Sequence, residues 1–145
     1  MLKRLYPTAT ATSIHTINFD KLWQKGIRGL IIDIDNTLET FDIPKPSEPT
    51  AKLIQKLKAM DYKICLLSNN SRGRVEKFNA DLGCDMIWNA RKPSKSGIKR
   101  ALGLLELKPD KVVLIGDQIF TDCFGGNRMG IVTILTTPIA QRDEW

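Results

Sequence analysis

Four aspartates in this chain follow apolar runs, at positions where they could act together. Asp33 and Asp35 follow one short apolar run, and Asp117 and Asp122 follow a second. Clustered carboxylates repel one another unless a cation lies between them. Oxygen ligands without histidine or cysteine favour Mg²⁺ over zinc or copper. The acidic residues therefore predict a magnesium site, if the fold brings their two runs together.

Other polar side chains could complete such a site. Ser68 ends a third apolar run and is followed by Asn69 and Asn70. Lys92 stands just before Pro93 and a predicted helix. A cation placed there could neutralise phosphate oxygens as charge builds up during phosphoryl transfer.

The elements that must position these residues can be predicted from hydrophobic periodicity. Buried strands are predicted over 28–33, 62–68, 111–117 and 131–136, with a weaker one over 85–88. Apolar residues at helical spacing predict three helices: one that begins after Ser47, one from Ser71 to Gly83, and one that includes Ile98 to Leu105. This alternation favours a doubly wound α/β fold with a parallel sheet. Residues 1–27 would form a basic N-terminal segment packed on or beside a core of residues 28–145, giving one domain overall.

A parallel sheet also explains how distant acids could meet. In open parallel sheets the ligand site lies beyond the carboxyl ends of the strands. Asp33, Ser68 and Asp117 each end a predicted strand, so we expect them at one edge. A single aspartate after a strand is more often a turn or cap residue, so the prediction depends on the whole set.

Three other kinds of site do not fit the sequence. A calcium loop starting at Asp33 would need Gly at its sixth position and Glu at its twelfth, where this chain has Leu38 and Pro44. No P-loop motif is present. Ser68 lacks the G-x-S-x-G turn of a serine nucleophile, and His15, the only histidine, is distant in sequence.

Composition limits the possible partners and compartment. The 145 residues include three cysteines without C-x-x-C spacing, which indicates neither a disulfide framework nor a zinc site. No run reaches the roughly 18–20 apolar residues that span a bilayer, and no apolar signal region follows the start, so we expect a cytoplasmic protein. The net charge of +6 has contributions from Lys3, Arg4, Lys21 and Lys25. Such charge suits an anionic partner or a solvated surface.

Taken in order, these motifs resemble the haloacid dehalogenase (HAD) superfamily. Its pattern is Asp-x-Asp-x-Thr after the first strand, Ser or Thr after the second, a Lys before a later helix, and Gly-Asp-x-x-x-Asp or a relative after the fourth. The matching residues are Asp33, Asp35 and Thr37; Ser68; Lys92; and Gly116, Asp117 and Asp122. The resemblance implies a phosphatase, with Thr37 and Gly116 in supporting positions.

The resemblance implies a reaction through a covalent intermediate. Asp33 would attack phosphorus and form an aspartyl phosphate, which water then hydrolyses. Asp35 would protonate the leaving oxygen and later take a proton from that water. Mg²⁺ would be held by the Asp33 carboxylate, the Asp35 backbone carbonyl and Asp117.

It also implies how the phosphate is bound. Ser68, Asn69 and Lys92 would bind the phosphoryl oxygens. Asp122 would orient Lys92 or a metal-bound water.

The connections between the motifs are short. The stretches 38–66 and 69–92 leave room for little more than one helix each, so no cap domain is expected and the site should be open. More narrowly, residues 29–38, 67–70, 116–122 and 125–139 resemble the YqeG family of capless (subclass IIIA) HAD phosphatases. Relatives of that family dephosphorylate phosphatidylglycerophosphate. The resemblance thus implies a lipid phosphate at an anionic membrane surface, which the basic N-terminal segment would suit.

Other functions stay open at this point. Within enzymes, the substrate could be a soluble phosphometabolite, a nucleotide or a phosphoprotein. A non-catalytic domain that binds RNA, a ribosome or a GTPase is a further alternative, although the full acid set and the absence of interleaved basic and aromatic residues argue against it. A receiver-like domain that only stores phosphate would not need Asp35.

Overall fold

The structure is a computed structural model that describes residues 9–35, 37–40, 42–89, 95–117 and 130–139. The strands are β1 (Ala9–Ala11), β2 (Gly29–Asp33), β3 (Lys63–Leu67), β4 (Asp85–Ile87), β5 (Val112–Asp117) and β6 (Val132–Thr136). The helices are α1 (Phe19–Gln24), α2 (Glu48–Ala59), α3 (Arg72–Asn79) and α4 (Lys95–Leu105), with 3₁₀ turns at Ile14–Thr16 and Pro109–Lys111. All five predicted strands are therefore confirmed.

The six strands form one parallel sheet in the order β1-β6-β5-β2-β3-β4. The chain adds β3 and β4 on one side of β2 and then returns to place β5 on the other side. Strand order therefore reverses at β2, and a crevice forms there between the loops that follow neighbouring strands. This reversal places the ends of β2 and β5 side by side.

Every residue of β2 is buried, because the sheet is covered on both faces. Leu30 and Ile32 pack in one core with buried side chains of α2 and α3. Ile31 packs in a second core with buried side chains of α4, including Ile98 and Leu105. Successive strand residues point to opposite faces, so an uninterrupted apolar run serves both cores. The predicted doubly wound arrangement is confirmed.

Helix α3 ends earlier than the sequence indicated. The predicted helix ran from Ser71 to Gly83, but the last helical residue is Asn79. The Asn79 side chain donates to the carbonyl oxygen of Cys84 at 2.6 Å and accepts from its N–H at 2.9 Å. These two bonds favour a turn over further helix, and Leu82 is buried from that turn.

The segment before β2 is part of the same sheet and core. β1 pairs with β6, with Ala9 opposite Ile134. Ile14 is fully buried, and the Tyr62 hydroxyl donates to the carbonyl oxygen of Phe19 at 2.6 Å.

The turn after α1 lies at the amino edge of the sheet, opposite the edge where Asp33 ends β2. A Cβ built on Gly26 would lie 3.5 Å from Nζ of Lys111, the residue before β5. The Arg28 N–H donates to the Lys111 carbonyl at 2.8 Å. Lys25, in the same turn, is therefore on the far side of the sheet from the catalytic candidates.

Candidate active site

Two buried carboxylates end the neighbouring strands at the crevice. Asp33 is the last residue of β2 and is 0% exposed, and Asp117 is the last residue of β5 and is 4% exposed. The two strands pair in parallel, with Ile32 opposite Ile115. The structure thus brings the two acids to one edge, as their strand ends indicated.

The loop after β2 turns around a single carbonyl group. The N–H of Ile34, the residue directly after β2, donates to the carbonyl oxygen of Leu67 at the end of β3, with a distance of 3.1 Å. The Ile34 carbonyl then accepts from the N–H groups of Thr37, Leu38 and Glu39 at 3.1–3.3 Å. Thr37 is buried, and its hydroxyl forms no hydrogen bond to any residue that the structure describes.

This turn directs the Asp35 side chain towards the loop after β3. Ser68 Oγ donates to Asp35 Oδ2 at 3.2 Å, and Asn70 Nδ2 donates to Asp35 Oδ1 at 3.2 Å. The Asn70 N–H donates to Ser68 Oγ at 3.0 Å, so the two donors support each other. Asp35 is half-buried, whereas Asp33 is fully buried. The second acid therefore has a fixed orientation and remains accessible.

Asn70 was not among the predicted site residues, and the role predicted for its neighbour Asn69, binding phosphoryl oxygens, stays a prediction. Asn69 is exposed, and the hydrogen bonds to Asp35 come from Asn70. Both asparagines stand after Ser68 in the sequence, and nothing local distinguishes them.

The predicted phosphate ligand Lys92 and the supporting Asp122 lie outside the described residues. Of the remaining predicted residues, Gly116 lies within β5, and its carbonyl accepts from Thr136 Oγ1 at 3.3 Å.

In the loop between β2 and α2, the Glu39 side chain near the start of the loop contacts residues at the start of α2. One Glu39 carboxylate oxygen lies 3.0 Å from the Ser47 N–H and 2.7 Å from the Thr50 hydroxyl. This closure places Ile43 and Pro44 in a small pocket shared with Asp35. Among the described residues, neither this connection nor the one from β3 to β4 contains an inserted domain.

The donor set suits a hard divalent cation. No three histidine, cysteine or acidic side chains within the described ranges are grouped closely enough to hold a metal by themselves. The expected set needs only two carboxylates, Asp33 and Asp117, and one backbone carbonyl, that of Asp35. These are all oxygen donors, which Mg²⁺ prefers. Burial raises the pKa of the Cys65 thiol to about 12, so this buried β3 residue offers no thiolate ligand.

Comparison with known proteins agrees with this geometry. Residues 24–130 match the model of the haloacid dehalogenase-like hydrolase family. The chain is 38% identical over 144 residues to Probable phosphatase YqeG of Bacillus subtilis strain 168, covering 99% of this chain and 84% of that protein. It is 26% identical over 153 residues to Phosphatidylglycerophosphate phosphatase 1, chloroplastic/mitochondrial, of Arabidopsis thaliana. That match covers 95% of this chain but only 42% of the plant protein.

Solved structures share the fold. The cobalt-bound deoxy-D-mannose-octulosonate 8-phosphate phosphatase YrbI of Haemophilus influenzae superposes with a TM-score of 0.62 at 17% identity. The alignment covers 81% of each chain. At this identity the similarity supports the architecture alone.

The family match confirms the resemblance inferred from the motifs, and the shared architecture confirms the predicted Rossmann-like fold. Because the family model spans most of the chain and a 38% identical relative spans nearly all of it, the chain belongs to the haloacid dehalogenase-like hydrolase family.

Proposed function

We propose that this phosphatase hydrolyses phosphomonoesters through an aspartyl phosphate formed on Asp33. The observation that carries the proposal is the pair of acids at the end of β2. Asp33 is fully buried at the switch point of the sheet, and Asp35 is held two residues later by donors from Ser68 and Asn70. These observations support assigning the nucleophile to Asp33 and the proton transfers to Asp35.

The reaction divides into two displacements at phosphorus. In the first, an Asp33 oxygen bonds to phosphorus while the bond from phosphorus to the leaving oxygen breaks, and Asp35 gives its proton to that oxygen. In the second, Asp35 takes a proton from water as the water oxygen bonds to phosphorus. The bond from phosphorus to Asp33 then breaks, which releases inorganic phosphate and restores both carboxyl groups.

Ser68 and Asn70 support this exchange by positioning Asp35. Their donors contact different oxygens of the same carboxylate, so rotation of the side chain would break at least one bond. A proton donor that is already oriented loses less entropy on reaching the reactive geometry. We also propose that Lys92 binds phosphoryl oxygens and that Asp122 orients it.

Mg²⁺ would be held by the carboxylates of Asp33 and Asp117 and by the Asp35 carbonyl. A bound divalent ion supplies charge neutralisation for the phosphoryl group and screens the two acids from each other.

Replacing Asp35 tests the proton-transfer role. Asp35→Asn keeps the size of the side chain but removes its proton, and general acid catalysis contributes roughly 10²–10⁴-fold. We expect a loss of that size in kcat/KM for glycerol 3-phosphate, whose alkoxide leaving group needs protonation. For p-nitrophenyl phosphate the loss should be at least about ten times smaller, because p-nitrophenolate leaves without a proton.

kcat/KM is the appropriate quantity because it excludes the later hydrolysis of the intermediate, which also uses Asp35. Asp81→Asn, which changes an exposed carboxylate in the turn after α3, is the matched control and should leave both rates unchanged. Equal losses on the two substrates would mean that Asp35 serves structure or metal binding only.

For the substrate we propose phosphatidylglycerophosphate presented at a membrane surface. Support comes from the name of the plant relative and from the absence of an inserted domain over the described edge. No helix in the described part of the chain is both long and apolar enough to cross a bilayer. Among the described residues, the exposed cations at the carboxyl edge include Lys45 in the loop and Arg72 and Arg74 at the start of α3. Lys25 lies at the opposite edge, and Lys3 and Arg4 lie outside the described residues.

Vesicle assays test this substrate. We expect faster hydrolysis of phosphatidylglycerophosphate in anionic vesicles than of glycerol 3-phosphate in solution, with a rate that falls as salt is raised. Lys45→Gln should lower the vesicle rate about fivefold, since a cation near an anionic surface contributes about 1 kcal/mol. Lys25→Gln is the control and should have no such effect. If the enzyme did not hydrolyse the lipid but hydrolysed a soluble metabolite at an ordinary enzymatic rate, the lipid assignment would be wrong and the phosphatase assignment would stand.

A further inference from the structure

The backbone of Asn89 has an uncommon conformation at the edge of the sheet where the candidate acids lie. Its φ of 49° is in the left-handed region, and it lies two residues after the end of β4. Among the described residues, Asp61 and Glu106 are the other non-glycine residues with positive φ. Both follow helices, α2 and α4, and a left-handed residue commonly ends a helix. Asn89 follows a strand, so termination of a helix does not account for its conformation.

The Asn89 N–H contacts the turn that holds Asp35. It donates to the carbonyl oxygen of Asn70 at 3.0 Å. At the other end of the same turn, the Ser68 N–H donates to the carbonyl oxygen of Ile87 in β4, also at 3.0 Å. These two backbone bonds attach both ends of the three-residue turn to the end of β4. The position of the turn therefore depends on the path of the chain as it leaves β4.

The same turn supplies two side-chain donors to the Asp35 carboxylate. Ser68 Oγ and Asn70 Nδ2 each donate at 3.2 Å, to different oxygens of that carboxylate. The Asn70 N–H also donates to Ser68 Oγ at 3.0 Å. A chain of hydrogen bonds thus connects the Asn89 backbone, through Asn70, to Asp35. Loss of the bond from Asn89 would release one end of the turn and change the orientation of both donors.

The residue type at position 89 matters through the backbone. Asn89 is exposed, so replacing its side chain removes little packing. Asparagine adopts the left-handed region more readily than most non-glycine residues do, and glycine adopts it without steric cost. A β-branched residue is strongly disfavoured there. Substitutions at this exposed position can therefore change the backbone conformation while leaving the core of the protein intact.

We propose that Asn89 is a positioning residue for proton transfer by Asp35. Its left-handed backbone places the N–H on the Asn70 carbonyl, and Asn70 with Ser68 then holds the Asp35 carboxylate in the orientation that protonates the leaving oxygen. A misoriented acid slows the reaction of those substrates whose leaving group needs a proton. This inference rests on the proposed function, because it assumes that Asp35 transfers that proton.

Substitutions at position 89 test this role by their effects on two substrates. Asn89→Val should move the backbone away from positive φ and lower kcat/KM for glycerol 3-phosphate about 5- to 20-fold. The loss for p-nitrophenyl phosphate should be less than about twofold, because its leaving group departs without a proton. Asn89→Ala is a milder change and should give the same preference with a smaller loss. Asn89→Gly keeps the positive φ and should stay within about twofold of the wild type on both substrates.

Glu106→Val is the matched control, because it places the same side chain at another exposed left-handed position, where φ is 56°. Glu106 follows Leu105, whose carbonyl accepts from Nζ of Lys63 at the start of β3, so it lies at the opposite edge of the sheet. This control should lower the melting temperature, as Asn89→Val does, but leave both kcat/KM values unchanged. Backbone strain alone is thereby separated from positioning of the acid.

A double variant provides a measurement that a purely structural role would not change. Asp35→Asn has no proton to transfer, so adding Asn89→Val to it should change the ratio of the two kcat/KM values by less than about twofold. Equal losses on both substrates in Asn89→Val, no loss on either, or an undiminished further change in the double variant would overturn the role of Asn89 alone. Equal losses caused by Asp35→Asn itself would overturn the proton-transfer role of Asp35 and this inference with it.

Discussion

Asp33→Asn is expected to lower kcat for p-nitrophenyl phosphate by roughly 10⁴–10⁶-fold, the range seen when a covalent nucleophile is removed. The amide has the shape of the carboxylate but cannot attack phosphorus, and in the proposed reaction Asp35, the other acid at the end of β2, transfers protons instead of forming the intermediate. Asp33 is fully buried, so an isosteric change is needed to keep the packing. The variant should unfold at a temperature no lower than the wild type, because it replaces a buried charge with a neutral group.

Trapping the intermediate makes the test specific. After acid quenching of a reaction with ³²P-labelled substrate, the wild type should carry a label that hydroxylamine removes, as an acyl phosphate does. Asp33→Asn should carry none, while Asp81→Asn should be labelled like the wild type. More than a few per cent of residual activity in a folded Asp33→Asn preparation would rule out Asp33 as the nucleophile.

The central strands and their terminal acids were predictable for a physical reason. A strand that is buried on both faces must be apolar at every position, and this pattern is visible in the sequence without knowledge of its neighbours. β2 and β5 both have this pattern, and both end in a buried aspartate. An acid at such a position is costly to bury without a partner, so its presence indicates a site.

β1 was missed because its sequence carries no such pattern. Ala9–Ala11 is a short stretch of small side chains that is mostly exposed, and only its pairing with β6 defines it as a strand. The choice between Asn69 and Asn70 also depends on tertiary structure. The Ser68 N–H donates to Ile87 and the Asn70 carbonyl accepts from Asn89, so contacts with β4 and the residues after it orient this turn.

Net charge was the sequence feature that said least about where a binding surface lies, because a count of lysines does not show at which edge of the sheet they lie. The interpretation of the N-terminal segment grouped Lys25 with a membrane-facing surface. Helix α1 instead returns the chain to the amino edge of the sheet, next to Lys111. Among the described residues, cations at the catalytic edge come from the loop before α2 and from the first turn of α3, and these were not predicted from the sequence.

Removal of divalent metal is the second change with a large expected effect. Treatment with EDTA should abolish hydrolysis of p-nitrophenyl phosphate, and Mg²⁺ should restore it, because Asp33 and Asp117 end adjacent strands and both are buried. Asp117→Asn keeps the shape of the side chain but removes one of the two charges. It should lower activity and weaken Mg²⁺ binding, and Asp81→Asn should do neither. Full activity in chelator would contradict the metal requirement.

Thermal unfolding separates metal binding from a purely structural role for Asp117. Without metal, two buried carboxylates repel, so Asp117→Asn should raise the melting temperature of the apo protein, by about 2–6 °C if roughly 1 kcal/mol of repulsion is relieved. With Mg²⁺ at about one hundred times its dissociation constant, the wild type should gain about 2.7 kcal/mol. The variant should gain much less. A structural role would give the opposite pattern, in which the apo variant is less stable and the Mg²⁺-dependent gain is unchanged. The change in apo melting temperature and the change in the Mg²⁺-dependent gain, rather than the loss of activity alone, therefore show whether Asp33 and Asp117 hold a cation.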